Sequence, residues 1–294
     1  MTKPLVSVVI PNYNYAQYVG EAIDSALNQD YPNLEVLVIN NGSTDNSIEV
    51  LEGYRKRFSD RFRFVTQGNM GQAGARNRGV LESRGEFIAF LDADDVWVPE
   101  KISQQMALFE RPEVGIVYSG YEEVDRDLKP LRTIQAKYTG HVHRAFADGV
   151  QAVVLAGEST SIIRRECFAK VGIFDTSLSN SSGWDMFRRI SAFYEVDAIK
   201  APLMKYRQHG ANRHGLLKIY RKEILLRTEK MFKDPDSSKI ANERRGAFSR
   251  VYWALSGAHL KAGQYLEGTW YLLKSLTNSP VVPVKRLLSR TRQA

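Results

Sequence analysis

The hydrophobic pattern changes character along the chain. Leu5–Ile10 (LVSVVI) is a short β-branched run bounded by Pro11, the mark of a buried strand. Tyr15–Gln29 places apolar residues at Val19, Ala22, Ile23, Ala26 and Leu27, which is helical spacing. Leu34–Ile39 (LEVLVI) predicts a second strand. Ser43–Phe58 predicts a helix capped by Ser43 or Thr44, with Ile48, Leu51 and Tyr54 on its face. Phe62–Thr66 predicts a strand, Gly71–Ser83 a helix and Phe87–Leu91 (FIAFL) a strand. Pro99–Phe109 predicts a helix with proline in its first turn, where the missing N–H is harmless. Strand–helix alternation at this spacing predicts a parallel sheet with helices on both faces.

Past residue 114 the rhythm becomes irregular. Val114–Tyr121 predicts a strand, and the mixed, polar stretch 122–150 carries no readable sequence of elements. Ser159–Arg164 reads as a strand, Gly183–Tyr194 as a helix and Met204–Arg207 as a short strand. From Leu216 the pattern is helical over Leu216–Phe232, Lys239–Ala262 and Gln264–Leu276, punctuated by Asp234-Pro235-Asp236 and Gly263. The expected division is therefore an α/β domain over 1–215 and a helical extension with a basic tail over 216–294.

Composition narrows the class. Of 294 residues, 43% are hydrophobic and 25% charged, a globular balance that excludes a disordered or collagen-like chain. No run approaches the roughly 18 apolar residues of a membrane-spanning helix, and Lys3-Pro4 with a brief apolar run does not read as a secretory leader. The single cysteine, Cys167, excludes an intramolecular disulfide and a cysteine-based metal cage, and fits a cytoplasmic setting. In a helix it reads as a small buried residue. A net charge of +8 admits an anionic partner. The basic residues are scattered and form no nucleic-acid reading motif, so nucleic acid is the weakest partner class.

In an open α/β sheet ligands bind beyond the carboxyl ends of the strands. Three polar turns should meet there: Pro11-Asn12-Tyr13-Asn14, Asn40-Asn41-Gly42-Ser43-Thr44-Asp45, and Asp92-Ala93-Asp94-Asp95. Three carboxylates within four residues repel one another unless solvent screens them or a cation neutralises them. Following a buried strand, they suit a hard divalent ion such as Mg²⁺ or Mn²⁺, which takes one or two carboxylates plus substrate phosphates. The glycine-rich stretch Gly68–Gly79 opens a helix carrying Arg76 and Arg78, a setting that favours phosphate.

The ordered set V-S-V-V-I-P-N-Y-N from Val6, S-A-L-N-Q-D-Y-P-N-L-E from Ser25, N-N-G-S-T-D from Asn40, N-M-G-Q-A-G-A-R-N from Asn69, G-E-F-I-A-F-L-D-A-D-D from Gly85 and G-W-D-M-F-R-R-I from Gly183 resembles the family 2 glycosyltransferases. The resemblance covers about residues 5–215. It implies the GT-A fold, a Rossmann-like, mostly parallel sheet flanked by helices, and inverting transfer of a sugar from a nucleotide-diphosphate sugar to an acceptor hydroxyl. Carried over residue by residue, Tyr13 would stack on the base with Pro11 at its edge. Asp94 would hold ribose or sugar with help from Asp92, Asp95 would hold the metal, and Arg76 would approach the base or diphosphate. Asp185 matches the catalytic base, and His209 matches a histidine near metal and diphosphate. The family's usual aspartate pair is here Asn40-Asn41. Asn41 can accept a hydrogen bond from a base through its amide oxygen, but without charge, so the preferred base stays open.

The resemblance also implies a saccharide or lipid-linked acceptor and a role in bacterial surface polysaccharide or glycolipid synthesis. Two other readings compete. A nucleotidyltransferase would carry a phosphate-gripping loop after the first strand, where this chain has P-N-Y-N. A non-catalytic nucleotide-sugar-binding scaffold is favoured only by Asn40-Asn41. Leu272, Leu273 and Leu276, with Trp270 and Tyr271 nearby, predict a helix packing on the catalytic domain or on a second copy. Val281-Val282-Pro283-Val284 and Leu287-Leu288 among Lys285, Arg286, Arg290 and Arg292 have the composition of a peripheral membrane contact.

Overall fold

The computed structural model of the protein describes residues 3–148, 153–154, 157–209 and 217–282. They fall into two compact units, Met1–Val142 with Val153–Asn212, and His143–Ala152 with Arg213–Ala294.

The first unit begins with β1 (Val6–Asn12), α1 (Ala16–Leu27), β2 (Leu34–Asn40), α2 (Ser47–Arg57), β3 (Phe62–Thr66), α3 (Gly71–Glu82) and β4 (Phe87–Phe90). These strands are parallel in the order β3-β2-β1-β4. Asn12 pairs with Asn40, and Val9 with Phe90, so the turns after β1, β2 and β4 leave one edge of the sheet. The strands are apolar on both faces because both faces are covered. Val6, Val8, Ile10, Val36, Val38 and Ala89 pack with Val19, Ala22, Ile23 and Ala26 of α1 in one core. Each fully buried valine or isoleucine of this core contributes about 1.5–3 kcal/mol. A Cβ on Gly79 would overlap Val9, so this glycine lets α3 lie close on β1.

The helix expected from Ser43 starts at Ser47. The residues expected to cap it hold the turn instead. Ser43 Oγ accepts from the Asn14 amide at 3.0 Å, and Asp45 Oδ1 accepts from the Ser47 amide at 3.0 Å.

The unit continues with β5 (Val96–Trp97), α4 (Lys101–Leu108), β6 (Val114–Val124), β7 (Pro130–Ile134), a 3₁₀ turn (Gly157–Thr160), β8 (Ser161–Arg164), α6 (Arg165–Val171), α7 (Ser182–Ser191) and β9 (Glu195–Arg207), with α5 (His143–Phe146) lying between β7 and the 3₁₀ turn in sequence and belonging to the second unit. The nine strands form one mixed sheet, β3-β2-β1-β4-β8-β6-β9-β5, with β7 on β6. β8 runs antiparallel to both β4 and β6. β9 spans 13 residues where the sequence predicts only its last four. Its middle, Lys200-Ala201-Pro202, is exposed, and its pairing with β6 is broken by irregularities, so no clean alternation marks it. Cys167 is buried in α6, as expected.

The second unit holds α5 and then α8 (Leu217–Lys233), a 3₁₀ segment (Pro235–Glu243), α9 (Arg244–Lys261) and α10 (Tyr265–Asn278). Asp234 caps the 3₁₀ segment by accepting from the Asp236 amide at 3.1 Å. Ile224, Val251, Leu255 and Tyr271 form its core. Tyr271 points inward, whereas Leu266, Trp270 and Leu273 are exposed on α10, with Lys274 Nζ 3.8 Å from the centre of the Trp270 ring. Pro283, Val284 and the basic residues Lys285, Arg286, Arg290 and Arg292 lie outside the described residues. Among those described, no helix is long and apolar enough to cross a membrane.

Candidate functional site

The edge beyond β1, β2 and β4 gathers the three polar turns. Asn14 takes a left-handed conformation, φ 57°, which asparagine tolerates. Its Oδ1 accepts from the Thr44 amide at 2.8 Å, tying the first turn to the second. Pro11 and Tyr13 are half-buried here. Gly42 has φ 79°, and a Cβ there would lie 3.0 Å from the Asn69 amide, so both the turn and the close approach require glycine.

Asn41 is buried and fully engaged. Its Oδ1 accepts from Gln67 Nε2 at 2.9 Å and the Met70 amide at 3.0 Å. Its Nδ2 donates to Gly71 O at 3.1 Å and Asn69 Oδ1 at 3.3 Å. The backbone donor and acceptor fix the orientation of the amide. A base contact through Oδ1 would therefore displace a bond that shapes the 67–71 loop.

The turn after β4 is anchored from far along the chain. Ser159 Oγ accepts from the Asp92 amide at 2.9 Å and bonds the Asp95 carboxylate, while Ser159 O accepts from Trp97 Nε1 at 2.8 Å. Arg76, on α3, is 2% exposed; it donates to Asp92 Oδ1 at 2.8 Å and lies 2.6 Å from Glu158 Oε1. Its guanidinium holds two carboxylates beneath the turn.

Asp94 and Asp95 differ in access. Asp94 keeps 17% of its side chain exposed, and its Oδ2 lies 2.9 Å from His209 Nε2. The His209 ring stacks on Tyr18, centroids 5.3 Å apart, and meets Tyr15 edge-on at 5.8 Å. Asp95 is 2% exposed, with Oδ1 accepting from the Arg207 amide at 3.3 Å. Asp94 thus keeps a reachable carboxylate beside His209, while the Asp95 carboxylate is enclosed. Arg207, which the sequence reading passed over, donates to Asp94 O at 2.9 Å, Arg126 O at 2.6 Å and Glu21 Oε2 at 2.5 Å.

The electrostatics are strained toward the negative. Burial, reinforced by Asp94 and Asp92, holds Asp95 well above the usual carboxylate range. Burial and Asp92 raise Asp94, against the His209 contact that lowers it. Burial also raises Glu158, with Arg76 opposing and Asp92 adding to the rise. Carboxylates crowded this way retain protons unless a cation neutralises them. Among the described residues, no three histidine, cysteine or acidic side chains form a ready-made cage. A cation here would need oxygen ligands from a bound partner, the usual arrangement for Mg²⁺ with phosphates.

Asp185 stands in the first turn of α7 and is buried. Its Oδ1 accepts from Arg188 Nη2 at 3.1 Å and its Oδ2 from Arg189 Nε at 2.8 Å.

Comparison with known proteins gives the family. Residues 7–172 match the model of glycosyl transferase family 2. An uncharacterised glycosyltransferase of Nostoc sp. is 32% identical over 213 residues, 71% of this chain and 66% of that protein. One from Rickettsia felis is 31% identical over 210 residues, 70% of this chain and 35% of its own length. The putative teichuronic acid biosynthesis glycosyltransferase TuaG of Bacillus subtilis is 34% identical over 130 residues, 44% of this chain and 51% of that protein. The chain thus spans from about a third to two thirds of these relatives. Among solved structures, a Pyrobaculum calidifontis mannosyltransferase in complex with GDP-Man and Mn²⁺ superposes with TM-score 0.65 at 20% identity, covering 100% of this chain and 81% of that one. S. aureus TarS 1–349 in complex with UDP-GlcNAc gives 0.62 at 16% identity, covering 97% and 92%. The fold is GT-A, and the chain belongs to glycosyl transferase family 2.

Proposed function

We propose that this family 2 glycosyltransferase binds a nucleoside-diphosphate sugar at the acidic edge and passes its sugar, with inversion, to an acceptor hydroxyl. The observation that carries this reading is the crowding of Asp92, Asp94 and Asp95 beside His209, where three post-strand turns meet. Asp94 and His209 would hold a divalent cation, Mn²⁺ or Mg²⁺, with Asp95 behind them and the donor diphosphate completing the coordination. When bound, such a cation stabilises the charge that grows on the departing diphosphate.

The chain's own residues do the rest. Tyr13 and Pro11 offer a half-buried surface for the base. Arg76 fixes Asp92, and Arg207 fixes the backbone of Asp94. Attack on the face opposite the leaving group inverts the anomeric centre, and no covalent enzyme intermediate is required. The nucleotide sugars held by the two structural neighbours support this donor class without choosing the base.

The feature that favoured a non-catalytic scaffold, Asn40-Asn41, has a constructive role: Asn41 organises the 67–71 loop. The teichuronic acid relative supports a place in bacterial surface polysaccharide or glycolipid synthesis, with a saccharide or lipid-linked acceptor. The exposed Leu266, Trp270 and Leu273 beside Lys274 support a peripheral contact with an anionic membrane at its inner face.

The test is binding and turnover of uridine, thymidine, guanosine and cytidine diphosphate sugars with Mn²⁺, Mg²⁺ or chelator. Metal-dependent turnover of one donor is expected. Absence of binding to all of them under every metal condition would overturn the reading.

A further inference from the structure

Two buried polar residues stand side by side on α3, Arg76 and Asn77, and they hold different parts of the molecule. Arg76 donates to Asp92 of the acidic turn at 2.8 Å and lies 2.6 Å from Glu158 Oε1. Asn77 holds backbone 97 residues away. Its Nδ2 donates to Phe174 O at 2.8 Å, and its Oδ1 accepts from the Phe174 amide at 2.8 Å. The side-chain amide thus satisfies both main-chain groups of one residue, as a neighbouring strand would. The Phe174 ring meets Phe90, the last residue of β4, edge-on at 5.3 Å, and Phe168 of α6 at 6.1 Å.

The same stretch of backbone reaches α7 from its other end. Gly172 closes α6 with φ 79° and ψ −177°, a conformation essentially confined to glycine. The carbonyls of Val171 and Ile173 on either side of it accept from one guanidinium: Arg189 Nη1 donates to the first, and Nη2 to the second at 2.9 Å. The remaining nitrogen, Nε, donates to Asp185 Oδ2 at 2.8 Å. A guanidinium is a rigid planar fork, so a shift of residues 171–173 turns the fork and carries the carboxylate with it. Arg188 takes the other oxygen of Asp185 at 3.1 Å. An ionised carboxylate offers about four lone-pair sites, so two ion pairs orient Asp185 without exhausting it. A Cβ on Gly183, in the same first turn of α7, would overlap the Glu158 carboxylate, which is also a partner of Arg76.

We propose that Val171–Phe174 is a strut that sets where Asp185 stands relative to the acidic turn, with Asn77 and Arg189 as the positioning residues at its two ends. This rests on the glycosyl-transfer reading above, with Asp185 in the role that the family resemblance gives it. In that step the acceptor oxygen bonds to the anomeric carbon. The bond from that carbon to the diphosphate oxygen breaks, and its electron pair leaves with the nucleoside diphosphate. The hydroxyl proton passes to Asp185. The base must be in register with the bound sugar, and a misplacement of about 1 Å can cost about 10²-fold in rate. Neighbouring residues of one helix supply that register: Arg76 holds the acidic turn, and Asn77 holds the strut that leads to Asp185.

The test is donor hydrolysis, with water in place of the acceptor, by the full chain with Mn²⁺ and whichever of the four diphosphate sugars it binds. The single variants are Asn77→Ala, Gly172→Ala, Arg189→Lys and Asp185→Asn. Two double variants combine Arg189→Lys with Asn77→Ala or with Gly172→Ala. Asp185→Asn should lower kcat about 10²–10⁴-fold, the usual worth of a positioned base. Asn77→Ala should lower kcat about 10–10²-fold and leave the affinities for donor and Mn²⁺ unchanged, because Arg76 and Asp92 are untouched. Gly172→Ala displaces the strut without touching α3 and should give the same split. It decides the matter alone if Asn77→Ala does not fold. Arg189→Lys keeps a cation for Asp185 but cannot span both carbonyls. Adding either other variant to it should lower kcat no further, because residues that act as one unit are non-additive. A merely structural role would lower Tm and let the losses in kcat multiply.

Wild-type kcat in a folded Asn77→Ala or Gly172→Ala, or losses that multiply in the double variants, would overturn the strut while the collapse of Asp185→Asn left the transfer reading standing. Wild-type kcat in Asp185→Asn, or a wild-type protein that binds none of the donors, would overturn the underlying reading and the strut with it.

Discussion

Two turns leave the same edge of the sheet from strands on either side of β1, and they are built on opposite principles. The turn after β2 carries Asn41, a neutral amide with two hydrogen bonds accepted and two donated. The turn after β4 carries Asp92, Asp94 and Asp95, and burial together with the neighbouring carboxylates pushes Asp94 and Asp95 toward protonation. A saturated polar group stabilises and specifies a loop. A crowded set of buried charges is incomplete until a counter-charge arrives. The first turn is scaffold, and the second is where chemistry is expected.

The sharpest way to break this contrast is to remove a member of each turn. Asp94→Ala should lower metal-dependent donor turnover by at least about a hundredfold, since a cation at a developing charge is worth several kcal/mol. Chelation of wild-type protein should have a comparable effect. Steady-state kinetics across a Mn²⁺ titration would check both.

Asn41→Ala should act on the other side of the ledger. It leaves the Met70 N–H and Gly71 C=O without their partner, so it should cost about 1–3 kcal/mol of stability while kcat changes little. Denaturant unfolding beside turnover measures the split. Asn41→Asp should leave base preference unchanged, because Oδ1 is occupied by Gln67 and Met70. A shift toward uridine donors in that variant would make Asn41 a base-reading residue and dissolve the contrast.

A smaller effect concerns pH. Asp94 and Asp95 have raised pKa values in the folded state, so between the ordinary carboxylate range and those raised values the native protein binds more protons than the unfolded chain. Unfolding free energy must then fall as pH rises through that window. Metal-free protein should show a Tm that declines there, and added Mn²⁺ should flatten the decline. The smallest expected effect lies in the second unit. Leu273→Glu on α10 should weaken association with anionic liposomes in a flotation assay and leave donor turnover untouched, because Leu273 is exposed and outside the unit that holds the acidic turn.

The alternating half of the fold was readable because each strand is a short apolar run and each helix keeps its spacing; β3, for example, has the bounds expected of it, Phe62–Thr66. β9 was mostly hidden, since its exposed middle and its proline erase the pattern that pairing would otherwise impose. Within the site, Asp92, Asp94 and Asp95 announced themselves by adjacency. Glu158 did not, because it joins them only through folding, and the one sequence signal available was a glycine at position 183 where a helix would normally carry a side chain. Arg76 was visible as a basic residue after glycines, but its burial depends on acids that lie elsewhere in the chain. Asn41 was visible as a departure from the family pattern, but its four hydrogen bonds depend on how the 67–71 loop folds back.

The bond from the Asp92 amide to Ser159 spans 67 residues and fixes the order in which the molecule becomes competent. Strands β1 to β4 can pair with one another as soon as they leave the ribosome, since the partners they find in each other lie within the first 90 residues. Their acidic turn stays unanchored until the segment leading into β8 is made and docks antiparallel on β4. Long-range closures of this kind come late in folding. A nascent or truncated chain ending before Glu158 would therefore own most of a sheet and all three aspartates, yet lack the hydroxyl that braces their loop and the glutamate beside it.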